Sequence, residues 1–340
     1  MAATLKDIAR KLNISVSTVS YALNGGPRSV PEEVRLKVLE VARELQYRPN
    51  RLARSLITGR SHTIGVVPPR RSANMILGLF FQECLNGVVN AAEETLQDIM
   101  FFTRFDVKTD QKLVDSLLDG RVDGAIFIAP PDSCEVIHQV ASRGLPCASI
   151  SVPIDGKVIN LLGENVKGTQ AALEHLWDLG HRKIGFFGRS DWHEDLVERV
   201  RLYEAFMADH GVPIDPDWIV DSDFNPNVAS LDAKRLLREP NRPTAFLCAN
   251  DELAFAIMLG AQEIGLRVPG DLSVVGFDDT HLCLKVFPNL TTVAQPLHRM
   301  GEDALKAVVE AVETQHLPAS KVYDTSLIIR NSTAPPAHQS

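Results

Sequence analysis

From Thr63 onward the sequence alternates short apolar runs with amphipathic segments, and it does so twice. The first series is TIGVV, a helix near 78–96, IMFFT, a helix over 109–119, GAIFIA, a helix over 132–142 and PCASIS. After VINLL the pattern restarts with a helix over 164–179, KIGFF, helices over 194–209 and 228–237, TAFLC, a helix over 251–264 and LSVVGF. Continuous apolar runs separated by helices belong to strands buried on both faces, and so to parallel sheets covered on each side. Two series predict two sheets. Open parallel sheets bind ligands outside the carboxyl ends of their strands, which puts the expected site in the cleft between the two.

The first 60 residues follow a different plan. Thr4 and Asp7 make a capping-box-like start, after which Leu5, Ile8, Ala9 and Leu12 recur at helical spacing and Asn13 ends the helix. Ser15 then caps a second helix with Val19, Ala22 and Leu23 inward, stopped by Asn24, Gly25, Gly26 and Pro27. A third helix from Pro31 to about Gln46 sets Val34, Val38, Val41, Ala42 and Leu45 on one side, enough to close a small core. A tight pair of short helices of this kind presents its second helix to the major groove. Its outward residues are Val16, Ser17 and Tyr21, suited to base edges and thymine methyls, among the hydroxyls of Ser15, Thr18 and Ser20, suited to phosphate.

Charge is divided in the same way. Residues 1–60 hold eleven Lys and Arg against five Asp and Glu, a net of +6, while the whole chain carries −8. A basic head on an acidic body is the footprint of a nucleic-acid-binding module joined to a part that does not bind nucleic acid, although charge alone also fits a solvated face. The segment 47–60, YRPNRLARSLITGR, has helical propensity from Asn50 to Leu56 but is too short to hold a helix alone in water. Arg51 and Arg54 suit phosphates. Leu56 is either a packing residue or, in a dimeric DNA binder, a wedge for the minor groove.

With LKDIARKLNISVSTVSYALNGG and VRLKVLEVARELQYRPNRLARSL in view, the chain resembles the lactose-repressor (LacI/GalR) family of transcriptional regulators. The resemblance continues through HTIGVV, RVDGAIFI, LGHRKIGFFG, RPTAFLCANDELA, LRVPGDLSVVGFDD and LTTVAQPLHRMGEDA, and so covers residues 4 to about 330. It implies a helix-turn-helix head over 1–48 and a hinge helix over 49–61 that folds on the operator with its leucine between central base pairs. The body, 62–340, is then an α/β periplasmic-binding-protein-like domain for effector binding and dimerisation. Its N-subdomain is expected over about 62–161 and 294–321, its C-subdomain over about 162–293 and 322–332, with a disordered tail over 333–340. The residues expected at DNA are Thr4, Ser15, Val16, Ser17, Thr18, Ser20, Tyr21, Asn24, Tyr47, Asn50, Arg51, Ala53, Arg54 and Leu56.

Polar residues follow several of the body's apolar runs: Arg189 to His193, Asn250 with Asp251, and Asp278 with Asp279. A carboxylate and an amide converging on a cleft suit the hydroxyls of a sugar, and Phe224 and Trp192 can supply an apolar wall. Asp251 reads better as a helix cap. The resemblance implies that Asn250 and Asp278 contact the effector, that Phe224 walls the pocket and that Arg199 lies near the ligand. His193 stands where some members have an effector-binding arginine, and Ser151 where they have an aspartate, so no relative's effector carries over directly. The loop Pro68 to Leu79 is also longer than usual in the family. The expected partners are a pseudo-palindromic double-stranded operator, a small-molecule effector of the carbohydrate class and a second copy of the chain, with no cofactor, metal or membrane.

Other functions fit less well. GFFG lacks the glycine spacing of a dinucleotide site, and no nucleophile and base pair up by spacing, which argues against an enzyme. A solute-binding protein matches the body but not the basic head or the first twenty residues, where Lys6, Asp7, Arg10 and Lys11 leave no apolar signal. The five cysteines, odd in number and scattered, read as buried free thiols and suit the cytoplasm.

Overall fold

The computed structural model describes residues 3–24, 29–47, 59–69, 78–103, 110–131, 134–188, 194–221 and 224–337. They form two compact units, Met1–Ser61 and His62–Ser340.

The head contains α1 (Leu5–Leu12), α2 (Val16–Asn24) and α3 (Glu32–Glu44). Asn13 closes α1 in the left-handed conformation at φ 54° and ψ 43°, a geometry that asparagine tolerates well. Ile8, Ala9, Val19, Ala22, Val38, Val41 and Ala42 are buried together, with Leu23, Val34 and Leu45 packed at the edge. All three helices thus turn their expected apolar faces inward.

The body runs β1 (Thr63–Val67), α4 (Leu79–Glu94), β2 (Asp98–Phe101), α5 (Gln111–Leu117), β3 (Gly124–Ile128), α6 (Glu135–Ser142), β4 (Cys147–Ile150), β5 (Val158–Gly163), α7 (Asn165–Asp178), β6 (Ile184–Phe187) and α8 (Glu194–Asp209). It continues with β7 (Ile219–Val220), α9 (Pro226–Leu236), β8 (Ala245–Cys248), α10 (Asp251–Glu263), β9 (Ser273–Asp278), β10 (Thr291–Ala294), α11 (Leu297–Thr314), β11 (Lys321–Tyr323) and β12 (Ser326–Ile328). One sheet has the order β11-β5-β4-β3-β1-β2 and the other β12-β10-β9-β8-β6-β7. Every pairing is parallel except that of β10 with β12. Their inner strands are apolar without alternation, as GAIFI of β3 and AFLC of β8 show, because helices cover both faces.

The chain passes between the two halves at three places: after β5, after β10 and after β11. This moves two expected boundaries, the first from about 161 to Gly163, where β5 ends. The first half was expected to end at 321, but β11 extends its sheet to Tyr323 beside Gly163. Three residues carry no readable period, so the shift is invisible in the sequence.

The expected disordered tail is also corrected over the described part, 333–337. Ala334 donates its N–H to Ser273 Oγ at 3.0 Å, its carbonyl accepts from His181 Nε2 at 2.9 Å, and Thr333 Oγ1 pairs with His175. Buried Ser273 and His181 need partners, and the tail's backbone supplies them.

The five cysteines are free and buried, and burial pushes the thiols of Cys84, Cys147, Cys248 and Cys283 up. Among the described residues no helix is long and apolar enough to cross a membrane, and no His, Cys, Asp and Glu cluster is placed to hold a metal ion.

Candidate functional site

In the head, Ser15 Oγ accepts the Thr18 N–H at 3.0 Å and pairs with Thr18 Oγ1 at 2.8 Å, which fixes the start of α2. Val16 and Ser17, the next two residues, are exposed, while Thr18, Ser20 and Tyr21 are half-buried along the same helix. Thr4 begins α1 and commits both its N–H and its hydroxyl proton to Asp7 Oδ2, at 3.0 and 2.7 Å. Tyr47 is half-buried against the helical core, and its phenol is pushed up by that burial. Asn50, Arg51, Ala53, Arg54 and Leu56 lie outside the described residues, as does the side chain of Asn24.

In the body, the strand ends of the second half carry most of the buried polar chemistry. Arg199, on α8 and only 4% exposed, is the centre of it. Its Nε donates to Asn165 Oδ1 at 2.9 Å, Nη1 to the Ala249 carbonyl at 2.9 Å, and Nη2 faces Asp195 Oδ2 at 3.5 Å. The guanidinium lies 3.5 Å from the ring centre of Phe277, a cation–π contact that suits a planar cation out of water. Asn165 in turn donates to Glu198. Asp195 and Arg199 stand one helical turn apart on α8, so their side chains meet on one face.

Asp195 also reaches the other half of the body. Ser151, at the end of β4 with φ 78°, donates its hydroxyl to Asp195 Oδ2 at 3.1 Å. Among the described residues, Asp195 Oδ1 is buried with no hydrogen-bond partner. A buried carboxylate oxygen in that state costs about 1–3 kcal/mol, which a donor arriving in the cleft recovers.

Asp278 ends β9 with φ 111°, a left-handed conformation that an aspartate adopts only under constraint from its surroundings. Its Oδ1 accepts from Gln295 Nε2 at 2.8 Å. Burial first, and the nearby Asp251 second, hold the Asp278 carboxyl well above the usual carboxylate range, against the pull of Arg199 and Gln295. Asp279, next in the chain, pairs with Arg330 at 2.6 Å.

The helix cap expected at Asp251 falls one residue earlier. Asn250 is the cap of α10, its Oδ1 accepting the Leu253 N–H at 2.9 Å. Asp251 is buried instead, accepting from the Thr280 N–H at 2.7 Å and from the hydroxyls of Thr280 and Thr292. The cap position goes to the residue still in extended conformation, φ −154°, which is Asn250. Phe224, at φ 51°, packs partly into the core of the second half. Trp192 and His193 lie outside the described residues, as do positions 70–77 of the long loop.

The sequence reading thus names Arg199, Asn250 and Asp278, and it omits Asp195, Asn165 and Gln295. The i, i+4 spacing of Asp195 and Arg199 is the one signal that points to the missing carboxylate.

The model for bacterial regulatory proteins of the lacI family matches residues 4–50, and that for a periplasmic binding protein-like domain matches residues 173–333. Catabolite control protein A of Priestia megaterium is 30% identical over 326 residues, covering 95% of this chain and 96% of its own. The regulator DegA of Bacillus subtilis is 32% identical over 345 residues, with 98% and 99% covered. Among solved structures, the lac repressor dimer bound to operator and the anti-inducer ONPF superposes with a TM-score of 0.84 at 26% identity, covering 98% of this chain and 100% of that one. Head, body and near-complete coverage agree: the chain belongs to the lacI family of bacterial regulatory proteins and is a transcriptional repressor with an effector-binding body, not an enzyme.

Proposed function

We propose that the chain acts in the cytoplasm as a homodimer, that two heads read a pseudo-palindromic operator, and that a sugar or sugar derivative in the body's cleft sets operator affinity. The solved dimer of the lac repressor on its operator supports the arrangement, since one small head buries too little surface for tight specific binding. In the head, Val16, Ser17 and Tyr21 read bases, and Ser15, Thr18 and Ser20 meet phosphates. The segment 49–61 folds on the operator, where Arg51 and Arg54 meet phosphates and Leu56 wedges between base pairs.

The effector reading rests chiefly on the buried Asp195 Oδ1, which has no partner among the described residues, and on Arg199, which lies next to Asp195 and acts on Asp278. Such a site calls for a ligand with several hydrogen-bond donors, and a polyol has them. Trp192, His193, Phe224 and Asn250 are the further effector contacts of this reading. The relatives' names point to different regulated systems, from a ribose operon repressor to an exuR-type repressor, so the effector is chosen by this chain's own pocket.

A thermal-shift screen of sugars, sugar phosphates and nucleobases tests the site, because ligand at a hundredfold its Kd adds about 2.7 kcal/mol. A hit from the sugars that is lost in Asp278→Ala, with selected-DNA binding retained, is the expected result. A hit that Asp278→Ala binds as well as the parent removes Asp278 from the pocket, and a chain that enriches no sequence from random DNA overturns the operator.

A further inference from the structure

Both candidate effector segments of the second half continue, within three residues, into a contact with the first two turns of α4 in the first half. Asn250 is followed by Glu252, whose Oε2 accepts the Leu79 N–H at 3.1 Å, at the first residue of α4. Asp278 is followed by His281, whose Nδ1 lies 3.0 Å from Glu83 Oε1, one turn further along α4. A helix start has unpaired N–H groups and a partial positive charge, so a carboxylate there is a directional and favourable contact. Here that carboxylate comes from the opposite half of the body.

What α4 receives it passes on as a rigid piece. A Cβ on Gly87 would stand 1.8 Å from the His298 carbonyl oxygen, and one on Gly301 2.0 Å from that of Cys84, so α4 and α11 touch backbone to backbone. Packing this close transmits displacement rather than absorbing it. Phe81, Cys84 and Val88 of α4 share one core with Ile64 and Val66 of β1, the strand of the body nearest the head in sequence. A third contact converges on the same pair of helices: Gln295, held by Asp278, lies two residues before α11.

We propose that the α4–α11 pair is the receiver of the effector signal, and that Glu252 and His281 are the two grips through which the second half sets its position. The inference rests on the reading of the cleft as the effector site. It adds the route: ligand contacts at 250 and 278 shift the backbone of 252 and 281, the grips tighten or release, and the helix pair moves with β1.

The test uses the full chain and needs no effector. A DNA site enriched from a random pool by the parent is titrated with Glu252→Ala, His281→Ala and the double variant, beside Glu252→Gln, which keeps an acceptor for the Leu79 N–H. Each alanine variant is expected to change affinity for the selected site about three- to tenfold in the same direction. The double variant should change it by less than the product of the two, random-DNA affinity should hold, and Glu252→Gln should stay within twofold of the parent. Affinities within twofold of the parent in all three alanine variants overturn the proposal.

If the parent enriches no DNA, the operator reading fails, and hydrogen exchange decides the grips separately. Amides of 79–88 and of β1 should both exchange faster in the double variant. Faster exchange confined to the first turn of α4, with β1 unchanged, overturns the route.

Discussion

The two halves of the body share a parallel-sheet plan and differ in what they bury. The first half closes over apolar side chains in two layers, one around Ile64, Val66, Ile126 and Val308 and the other around Leu113, Leu117, Phe127 and Ile137. The second half buries Asn165, His181, Arg199, Asp251 and Asp278 as well. Burying charge is costly unless it is paired and hydrogen-bonded, so the second half spends stability on polar groups that an apolar core would not need. One half is built to recognise and the other to hold shape.

The sharpest way to break that contrast is Arg199→Ala. It leaves Asp195 buried without its cation and takes the donor from Asn165 and from the Ala249 carbonyl, and stability should fall by about 3–5 kcal/mol in urea unfolding, with the loss reported by Trp218 of the second-half core. A loss under about 1 kcal/mol would mean that the network is solvated and that the halves are more alike than described.

The first half should be as sensitive to a methyl group as the second is to charge. Gly301→Ala adds a Cβ that meets the Cys84 carbonyl oxygen at 2.0 Å, where backbone rather than a flexible side chain must yield. Overpacking of this kind is expected to cost about 3 kcal/mol, read as a shift of the urea midpoint. A neutral effect would show that α4 and α11 can part, and would weaken their role as one rigid piece.

A smaller effect separates the halves by pH. Burial pushes the Asp251 carboxyl up to about 6, against the hydrogen bonds from Thr292 and Thr280. A carboxyl raised in the folded state contributes its stability in full below its unfolded value, near 3.9, and that contribution is lost as the pH rises through about 6. The loss should be about 2 kcal/mol between pH 4 and pH 7. Asp251→Asn can keep the Thr280 bonds on its carbonyl and turn its amide toward Thr292, so its stability should lack this fall. Matching pH slopes for parent and variant would show the buried charge to be fully compensated.

How much of this was legible depends on how local each feature is. The helix read over 194–209 coincides with α8, because sixteen residues of periodic pattern outvote any single residue. The strands β11 and β12 are three residues each, too short to show a period, and they hold their places only because neighbouring strands accept them. The network around Arg199 joins residues 165, 195, 249 and 277, from three elements and the turn after β8, and no spacing in a linear chain announces that meeting. Asn250 and Asp251 are both reasonable caps by residue type. Which of them caps is set by the backbone, and the backbone is set by where Thr280 and Thr292 come to lie.

The three passages between the halves carry a mechanical consequence. Two bodies joined by a single strap can slide, swing and twist, but short straps at three places along the facing ends of the sheets remove most sliding and most separation. What remains is close to a single angular coordinate. A molecule bound anywhere in the cleft is then registered as one angle, whatever its own shape, and chemically different ligands can drive the same output.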